Sequence, residues 1–127
     1  MKNLFLLIAV ALIYSFTGCA QNDPAANISI EQLKEKIKND SSLVILDVRT
    51  AQELSGPLGK LDGVVHIPIQ EINNRIGELN KYKDKEIAVI CRTGNRSSSV
   101  TSMLRKEGFK AKNVSGGMVQ YRSSQTN

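Results

Sequence analysis

The sequence contains little that supports a metal site, a redox pair or a disulfide framework. Among its 127 residues there are only two cysteines, Cys19 and Cys91, and one histidine, His66. The cysteines do not form a C-x-x-C pair and no metal-ligating residues cluster around His66, which we interpret as a packing or surface residue. Gly94 and the pair 116–117 also lack the G-x-G-x-x-G spacing of a dinucleotide site. We therefore expect no metal ion and no cofactor.

Aromatic residues and unbalanced charge are also scarce. Aromatics make up 5% of the chain, and the formal net charge is only +5. Single-stranded nucleic-acid sites combine a basic groove with stacking aromatic rings, and no such segment is present, so no nucleic-acid partner is expected. Hydrophobic residues at 41% and charged residues at 23% are typical of one globular domain.

The N-terminus carries the only long apolar run, from Leu4 to Phe16, and Lys2 precedes it. The run is about 13 residues long, whereas a spanning helix needs about 20. A short apolar run after a basic residue and before small residues is the pattern of a secretory signal, which we predict over residues 1–18.

Phe-Thr-Gly-Cys at 16–19 resembles the lipobox of a bacterial lipoprotein, although Leu is commoner than Phe at the first position. The resemblance implies that Cys19 is lipidated and that the chain is exported to the bacterial cell envelope, facing the periplasm or the cell exterior. Residues 20–27 are small, polar and proline-containing, so we assign 19–27 to the anchor cysteine and a flexible tether. The alternative is that Cys19 is free or pairs with Cys91.

Residues 28–127 alternate strand-like and helix-like segments, without an internal repeat. Ser29 opens a capping box at the start of the first helix. The continuous apolar run at 43–48 is typical of a strand buried on both faces. The predicted elements are a helix at 30–39, a strand at 43–48, a strand-like run at 64–67, a helix marked by Ile72, Ile76 and Leu79, a strand at 86–90, a helix from about 96 to 107 and a short strand at 112–114. This alternation predicts one α/β domain with a mostly parallel sheet flanked by helices.

Cys91 directly follows a predicted buried strand, and ligands bind at the carboxyl ends of strands in such sheets. Gly94 permits a tight turn, and the next helix starts near Arg96. Amide dipoles, the helix end, Arg92 and Arg96 favour negative charge there, so we expect a lowered cysteine pKa and a nucleophilic thiolate. Ser97 either donates to this sulfur or simply starts the helix.

The loop Cys-Arg-Thr-Gly-Asn-Arg-Ser resembles that of the rhodanese family. Further matches in order and spacing are Asp47-Val48-Arg49, Glu53, the stretch 59–68, Gly108-Phe109 and Gly116-Gly117. The chain departs from the family at Gly59-Lys60-Leu61, where Gly-His-Ile is common, and at Gln120-Tyr121, where Ala-Trp is common.

The rhodanese resemblance implies a three-layer fold and a sulfurtransferase that carries sulfane sulfur as a persulfide on Cys91. It also implies that Asp47 and Arg49 are structural, with Arg49 as an ion-pair partner. The substrate-binding residues implied by the loop are Arg92, Thr93, Gly94, Asn95, Arg96 and Ser97. The donor would be thiosulfate, attracted by the two arginines, or a persulfide, and the acceptor a thiol, cyanide or a protein.

Three other functions are compatible with this loop. A phosphatase or arsenate reductase requires five residues between its cysteine and arginine, whereas four separate Cys91 from Arg96, so phosphate is crowded. The others are a binding module without catalysis and an envelope persulfide carrier that is loaded by a partner protein.

Overall fold

The computed structural model describes residues 23–126. They form five strands and five α-helices, with 3-10 turns at Pro24–Ala26 and Ile76–Tyr82. The strands are β1 (Asn27–Ile28), β2 (Val44–Asp47), β3 (Val65–His66), β4 (Glu86–Ile90) and β5 (Lys110–Val114). The helices are α1 (Ile30–Asn39), α2 (Ala51–Leu54), α3 (Ile72–Arg75), α4 (Asn95–Lys106) and α5 (Gly117–Ser123).

The strands form one sheet in the order β1-β5-β4-β2-β3, and every neighbouring pair is parallel. The predicted α/β fold is therefore confirmed, and the sheet is wholly rather than mostly parallel. Strands β2 and β4 are buried on both faces, which explains their continuous apolar sequences. The carboxyl ends of all five strands meet at one edge, where β4 leads into Cys91.

Helices cover both faces of the sheet and enclose two apolar clusters. One face packs against α3 and α4, through side chains that include Ile72, Val100 and Leu104. The other packs against α1 and α5, through side chains that include Leu33 and Met118. The result is a three-layer domain whose middle layer is the sheet.

Several elements differ from those predicted. The segment assigned to a tether contains the turn Pro24–Ala26, capped by the Asp23 carboxylate, and the first residue of β1. The single helix predicted around Ile72 and Leu79 is instead α3 followed by a 3-10 turn, with the poor helix former Gly77 near the junction. Strand β5 begins two residues earlier than expected, and β1, α2 and α5 had no prediction.

The predicted signal and the lipidation of Cys19 lie outside the described residues. From residue 23 to residue 126, no helix combines the length and apolar character needed to cross a membrane.

Candidate active site

Cys91 lies at the carboxyl end of the central strand and is 1% exposed. Its backbone carbonyl accepts a hydrogen bond from the amide of Met118 at 2.9 Å, and the carbonyl of Arg92 accepts one from Val119 at 3.0 Å. The first turn of α5 therefore holds the start of the 91–97 loop, which runs directly into α4.

Two polar groups face the sulfur of Cys91. The Gly94 amide lies 3.1 Å from Sγ, and the Ser97 hydroxyl oxygen lies 3.2 Å from it. Gly94 adopts a left-handed φ of 106°, and a Cβ there would lie 3.3 Å from the amide nitrogen of Gly116. Only glycine adopts this backbone conformation without strain, so Gly94 allows the loop to close around the sulfur.

These groups set the protonation of Cys91. Burial raises the pKa of its thiol, whereas a proton donated by the Ser97 hydroxyl and the amides of Ser97, Gly94 and Thr93 lower it, and with these donors directed at the sulfur the pKa lies below its ordinary value. The reactive form expected for a nucleophile is therefore favoured, as in other cysteines that face backbone amides.

Arg96 is not free to face an anion, because it forms a bidentate ion pair with Glu53 on α2. Its Nη2 and Nη1 atoms lie 2.6 and 2.8 Å from the two carboxylate oxygens. This hydrogen bonding lowers the pKa of Glu53 to about 2 despite partial burial. The pair fixes α2 against the start of α4 and neutralises one of the two loop arginines.

Arg92 is exposed and borders an open cleft of about 550 Å³. The cleft is lined by Arg49, Gln52, Glu53, Gly56, Pro57, Leu58 and Arg92. Because Arg96 is already paired with Glu53, Arg92 is the loop arginine available to a small anion in this cleft.

Thr93 and Asn95 lie on the other side of the loop. They border a separate depression together with Asn27, Ser115 and Gly116. The six residues implied as substrate-binding therefore do not share one pocket: Gly94 and Ser97 face the sulfur, Arg92 faces the cleft, and Thr93 and Asn95 face the opposite side.

Asp47 and Arg49 form a fully buried ion pair at the carboxyl end of β2. Arg49 Nη2 lies 2.7 Å from the Asp47 carboxylate and 2.7 Å from the carbonyl oxygen of Gly59. The carbonyl of Arg49 in turn lies 2.7 Å from Nε2 of the half-buried His66. The pair thus connects β2 to the 56–59 loop beside the cleft.

Sequence reasoning missed one contact of the sulfur site. Asn113 on β5 accepts a hydrogen bond of 2.6 Å from the Ser97 hydroxyl, and its own amide nitrogen lies 3.0 Å from Asn27 Oδ1. Strand β5 reads Lys-Ala-Lys-Asn-Val, so nothing in its sequence distinguished Asn113 or indicated which residue it would meet.

The comparisons with known proteins agree with this architecture. A family model described as "Rhodanese-like domain" matches residues 29–124. The chain is 42% identical over 94 residues to "Putative sulfurtransferase YtwF" of Bacillus subtilis (strain 168), covering 74% of this chain and 87% of that protein. It is 44% identical over 83 residues to "Putative sulfur carrier protein YrkF" of the same organism, covering 65% of this chain and 43% of that protein. The chain thus spans less than half of the second relative.

Among solved structures, a rhodanese-like domain protein from Staphylococcus aureus superposes with a TM-score of 0.68. It is 30% identical and covers 75% of this chain and 89% of that one. The family match spans both layers of helices, strands β2 to β5 and the loop that follows β4. The chain therefore belongs to the rhodanese-like domain family, whose named relatives include sulfurtransferases.

Proposed function

We propose that this protein is a sulfurtransferase that carries a sulfane sulfur as a persulfide on Cys91. The observation that carries the proposal is the position of Cys91 Sγ, which faces the Gly94 amide and the Ser97 hydroxyl at the end of the central strand. A donor such as the Gly94 amide favours the thiolate, which is the attacking form of cysteine. The named sulfurtransferase relatives support the same class of reaction.

The reaction has two displacement steps. In the first, the Cys91 thiolate attacks the outer sulfur of a donor such as thiosulfate, an S–S bond forms, and the donor's own S–S bond breaks. Sulfite leaves with the electron pair, and Cys91 holds the sulfur as an anionic persulfide. In the second, a thiolate or cyanide attacks the outer sulfur, so the acceptor leaves as a persulfide or thiocyanate and Cys91 returns as a thiolate.

Arg92 is the residue proposed to attract an anionic donor. It is exposed beside the cleft, and its guanidinium has no hydrogen-bonded partner among the described residues, whereas the guanidinium of Arg96 is held by Glu53. A guanidinium suits an oxyanion because its planar fork presents several N–H donors.

The test is the intact mass of a fragment of residues 20–127 before and after thiosulfate treatment. We expect a gain of one sulfur atom that cyanide or a thiol reverses, and no gain in Cys91→Ser. Arg92→Gln serves as a matched variant that keeps the sulfur loop, and it is expected to load slowly from thiosulfate but normally from a neutral polysulfane.

Other outcomes separate the rival functions. A Cys91 that is reduced and alkylatable yet takes no sulfur from thiosulfate, polysulfide or a low-molecular-weight persulfide contradicts sulfur transfer and favours a binding module. Loading by a persulfide but not by thiosulfate supports a persulfide carrier.

We also propose that the protein is exported and anchored by a lipid on Cys19 to a membrane of the bacterial cell envelope. The lipobox-like segment 16–19 and the preceding apolar run support this location. Metabolic labelling with an alkyne fatty acid is expected to mark the full chain in the membrane fraction. An unlabelled wild type, or a Cys19→Ser variant with equal labelling, contradicts the anchor.

A further inference from the structure

One hydroxyl group in the sulfur site faces two acceptors. Ser97 Oγ lies 3.2 Å from Cys91 Sγ and 2.6 Å from Asn113 Oδ1. A serine hydroxyl has a single proton, so it donates to only one of them at a time. The group that receives this proton decides whether Ser97 stabilises a thiolate or a thiol.

A chain of amides fixes the direction of this hydrogen bond. It starts at the backbone carbonyl of Asp23, which is only an acceptor, so the group 3.0 Å away must be the amide nitrogen of Asn27. The other atom of that amide, Asn27 Oδ1, is therefore the one that accepts from Asn113 Nδ2 at 3.0 Å. Asn113 consequently turns its oxygen towards Ser97.

The 2.6 Å separation of Asn113 Oδ1 and Ser97 Oγ then requires the hydroxyl proton between them. Ser97 is left with lone pairs facing Cys91. A lone pair accepts a proton from the thiol S–H but repels a thiolate.

We propose that Asn27 and Asn113 are positioning residues that hold the Ser97 proton away from Cys91, so that the backbone at Asp23 controls how readily the thiol ionises. The role assigned to this control rests on the proposed sulfur transfer at Cys91. The amide of Gly94 still faces the sulfur, so the amide chain turns only the Ser97 proton away and leaves the backbone donors in place.

Reversing the chain requires two amide rotations. For Ser97 to donate to a thiolate, Asn113 must turn its nitrogen to Ser97, and Asn27 must turn its nitrogen to Asn113. Asn27 Oδ1 then faces the carbonyl of Asp23, and two acceptors lie opposite each other. The reversed chain of amides therefore loses the hydrogen bond between Asn27 and the Asp23 carbonyl.

The charged groups around Cys91 stay the same when the chain is altered. They are Arg92 in the loop, Arg96 on α4 with Glu53 on α2, and the Asp47–Arg49 pair after β2. Strand β5 contributes the neutral Asn113, and the turn of α5 that bonds the Cys91 carbonyl has no titratable side chain at Gly117 or Met118. Asn27→Ala therefore tests the amide chain alone, whereas Asn27→Asp also adds a negative charge.

The experiment measures the rate of Cys91 alkylation by iodoacetamide against pH in fragment 20–127, in which Cys91 is the only cysteine. In Asn27→Ala the Asn113 amide is free to rotate and donate to Ser97, so we expect the midpoint to fall by about one pH unit, the effect of one hydrogen bond to a charged group. In Asn27→Asp the carboxylate still accepts from Asn113 but loses the Asp23 bond, so the midpoint is expected to stay or rise. Equal shifts in both variants, or a higher midpoint in Asn27→Ala, overturn the proposal.

A second comparison does not depend on Asn27→Ala alone. Ser97→Ala is expected to leave or lower the midpoint in the parent fragment, where Ser97 only accepts, and to raise it in the Asn27→Ala background, where Ser97 donates. An equal rise in both backgrounds overturns the proposal. If Asn27→Ala does not give a cooperative unfolding transition, Asn113→Ala replaces it with the same expected fall.

Alkylation needs no sulfur donor, so the two proposals fail separately. The predicted shifts together with no persulfide formation contradict sulfur transfer and keep the amide chain. Persulfide formation with unshifted alkylation profiles contradicts the amide chain and keeps sulfur transfer.

Discussion

Arg49 is a fully buried cation whose charge is balanced by Asp47, two residues earlier in the chain. Its Nη1 atom is buried without a hydrogen-bond partner among the described residues, while Nε and Nη2 are satisfied by the Asp47 carboxylate and the Gly59 carbonyl. The pair thus holds β2 and the 56–59 loop together, while the Nη1 group stays without a partner among the described residues.

Removing one partner of this pair is expected to be severe. Arg49→Met leaves the Asp47 carboxylate buried without a counter-charge and is predicted to lower the free energy of unfolding by about 3–5 kcal/mol. Urea denaturation followed by circular dichroism measures it. Asp47→Asn combined with Arg49→Met removes the stranded charge, so the double variant should be more stable than Arg49→Met, and a still less stable double variant contradicts the ion-pair explanation.

The Glu53–Arg96 pair predicts a pH dependence of stability. The pKa of Glu53 falls from 4.5 to about 2 in the folded chain, so its contribution is fully present above 4.5 and is lost as the pH falls towards 2. Both side chains are about 30% exposed (31% and 29%), so we expect a contribution of only about 1 kcal/mol.

Glu53→Gln is the matched control for this pH effect, since it keeps the size of the side chain and cannot titrate. The difference in unfolding free energy between the wild type and Glu53→Gln is expected to be largest near pH 6 and to shrink below pH 4.5. A difference that stays constant from pH 6 to pH 3 refutes the assignment, whatever the other carboxylates contribute.

At the scale of residues, the sequence predicted Cys91 and its loop because the motif is local. The side chains that restrain the loop are remote in sequence, because Glu53 lies 43 positions before Arg96 and Asn113 lies 16 after Ser97. Periodicity does not show which polar side chains meet across a parallel sheet. Arg96 was therefore expected to attract anions and is found in an ion pair.

Helix α5 is the element that supports the active loop from outside. Gly117, its first residue, has a left-handed φ of 57°, and a Cβ there would lie 2.5 Å from the Arg92 carbonyl oxygen and 2.6 Å from that of Cys91. Both obstacles are backbone atoms and do not move aside as a flexible side chain does. The glycine allows α5 to dock on the loop.

Gly117→Ala is predicted to weaken this docking. Gly63, with a φ of 68° and nothing within 4 Å of a Cβ, is the matched control: Gly63→Ala should cost about 1–2 kcal/mol of backbone strain. Gly117→Ala should cost about 2 kcal/mol more because the backbones must separate, and it should slow persulfide formation. Equal costs in urea denaturation with equal loading rates contradict a supporting role for α5.

At the scale of elements, strands β2 and β4 were predicted because a strand buried on both faces has a continuous apolar sequence. Helix α2 was missed although Thr50 and Glu53 form a capping box, since four residues are too few for a periodic pattern. Helix α5 starts at the second of two glycines without a capping side chain, and β1 has only two residues. These short elements are stabilised by their contacts with the sheet and the loop, which a local sequence pattern does not show.

At the scale of the molecule, the sheet includes a strand that precedes the first predicted element, the helix at 30–39. Ile28 is 3% exposed and packs in the cluster between the sheet, α1 and α5. A fragment of residues 29–127 is therefore predicted to be less stable than one of residues 23–127 by about 2 kcal/mol or more, the value of burying an isoleucine and its strand. Urea denaturation of both fragments checks this, and equal midpoints and slopes contradict it.

Strand β1 pairs with the last two residues of β5, Asn113 and Val114, and not with the start of that strand. The chain therefore enters the sheet at the edge that carries Cys91. Asn27 lies eight positions after Cys19, a span of at most about 28 Å when fully extended. With the proposed lipid on Cys19, the bilayer lies within one domain diameter of the sulfur loop. Donors and acceptors held at the same membrane therefore have a short path to the sulfur loop.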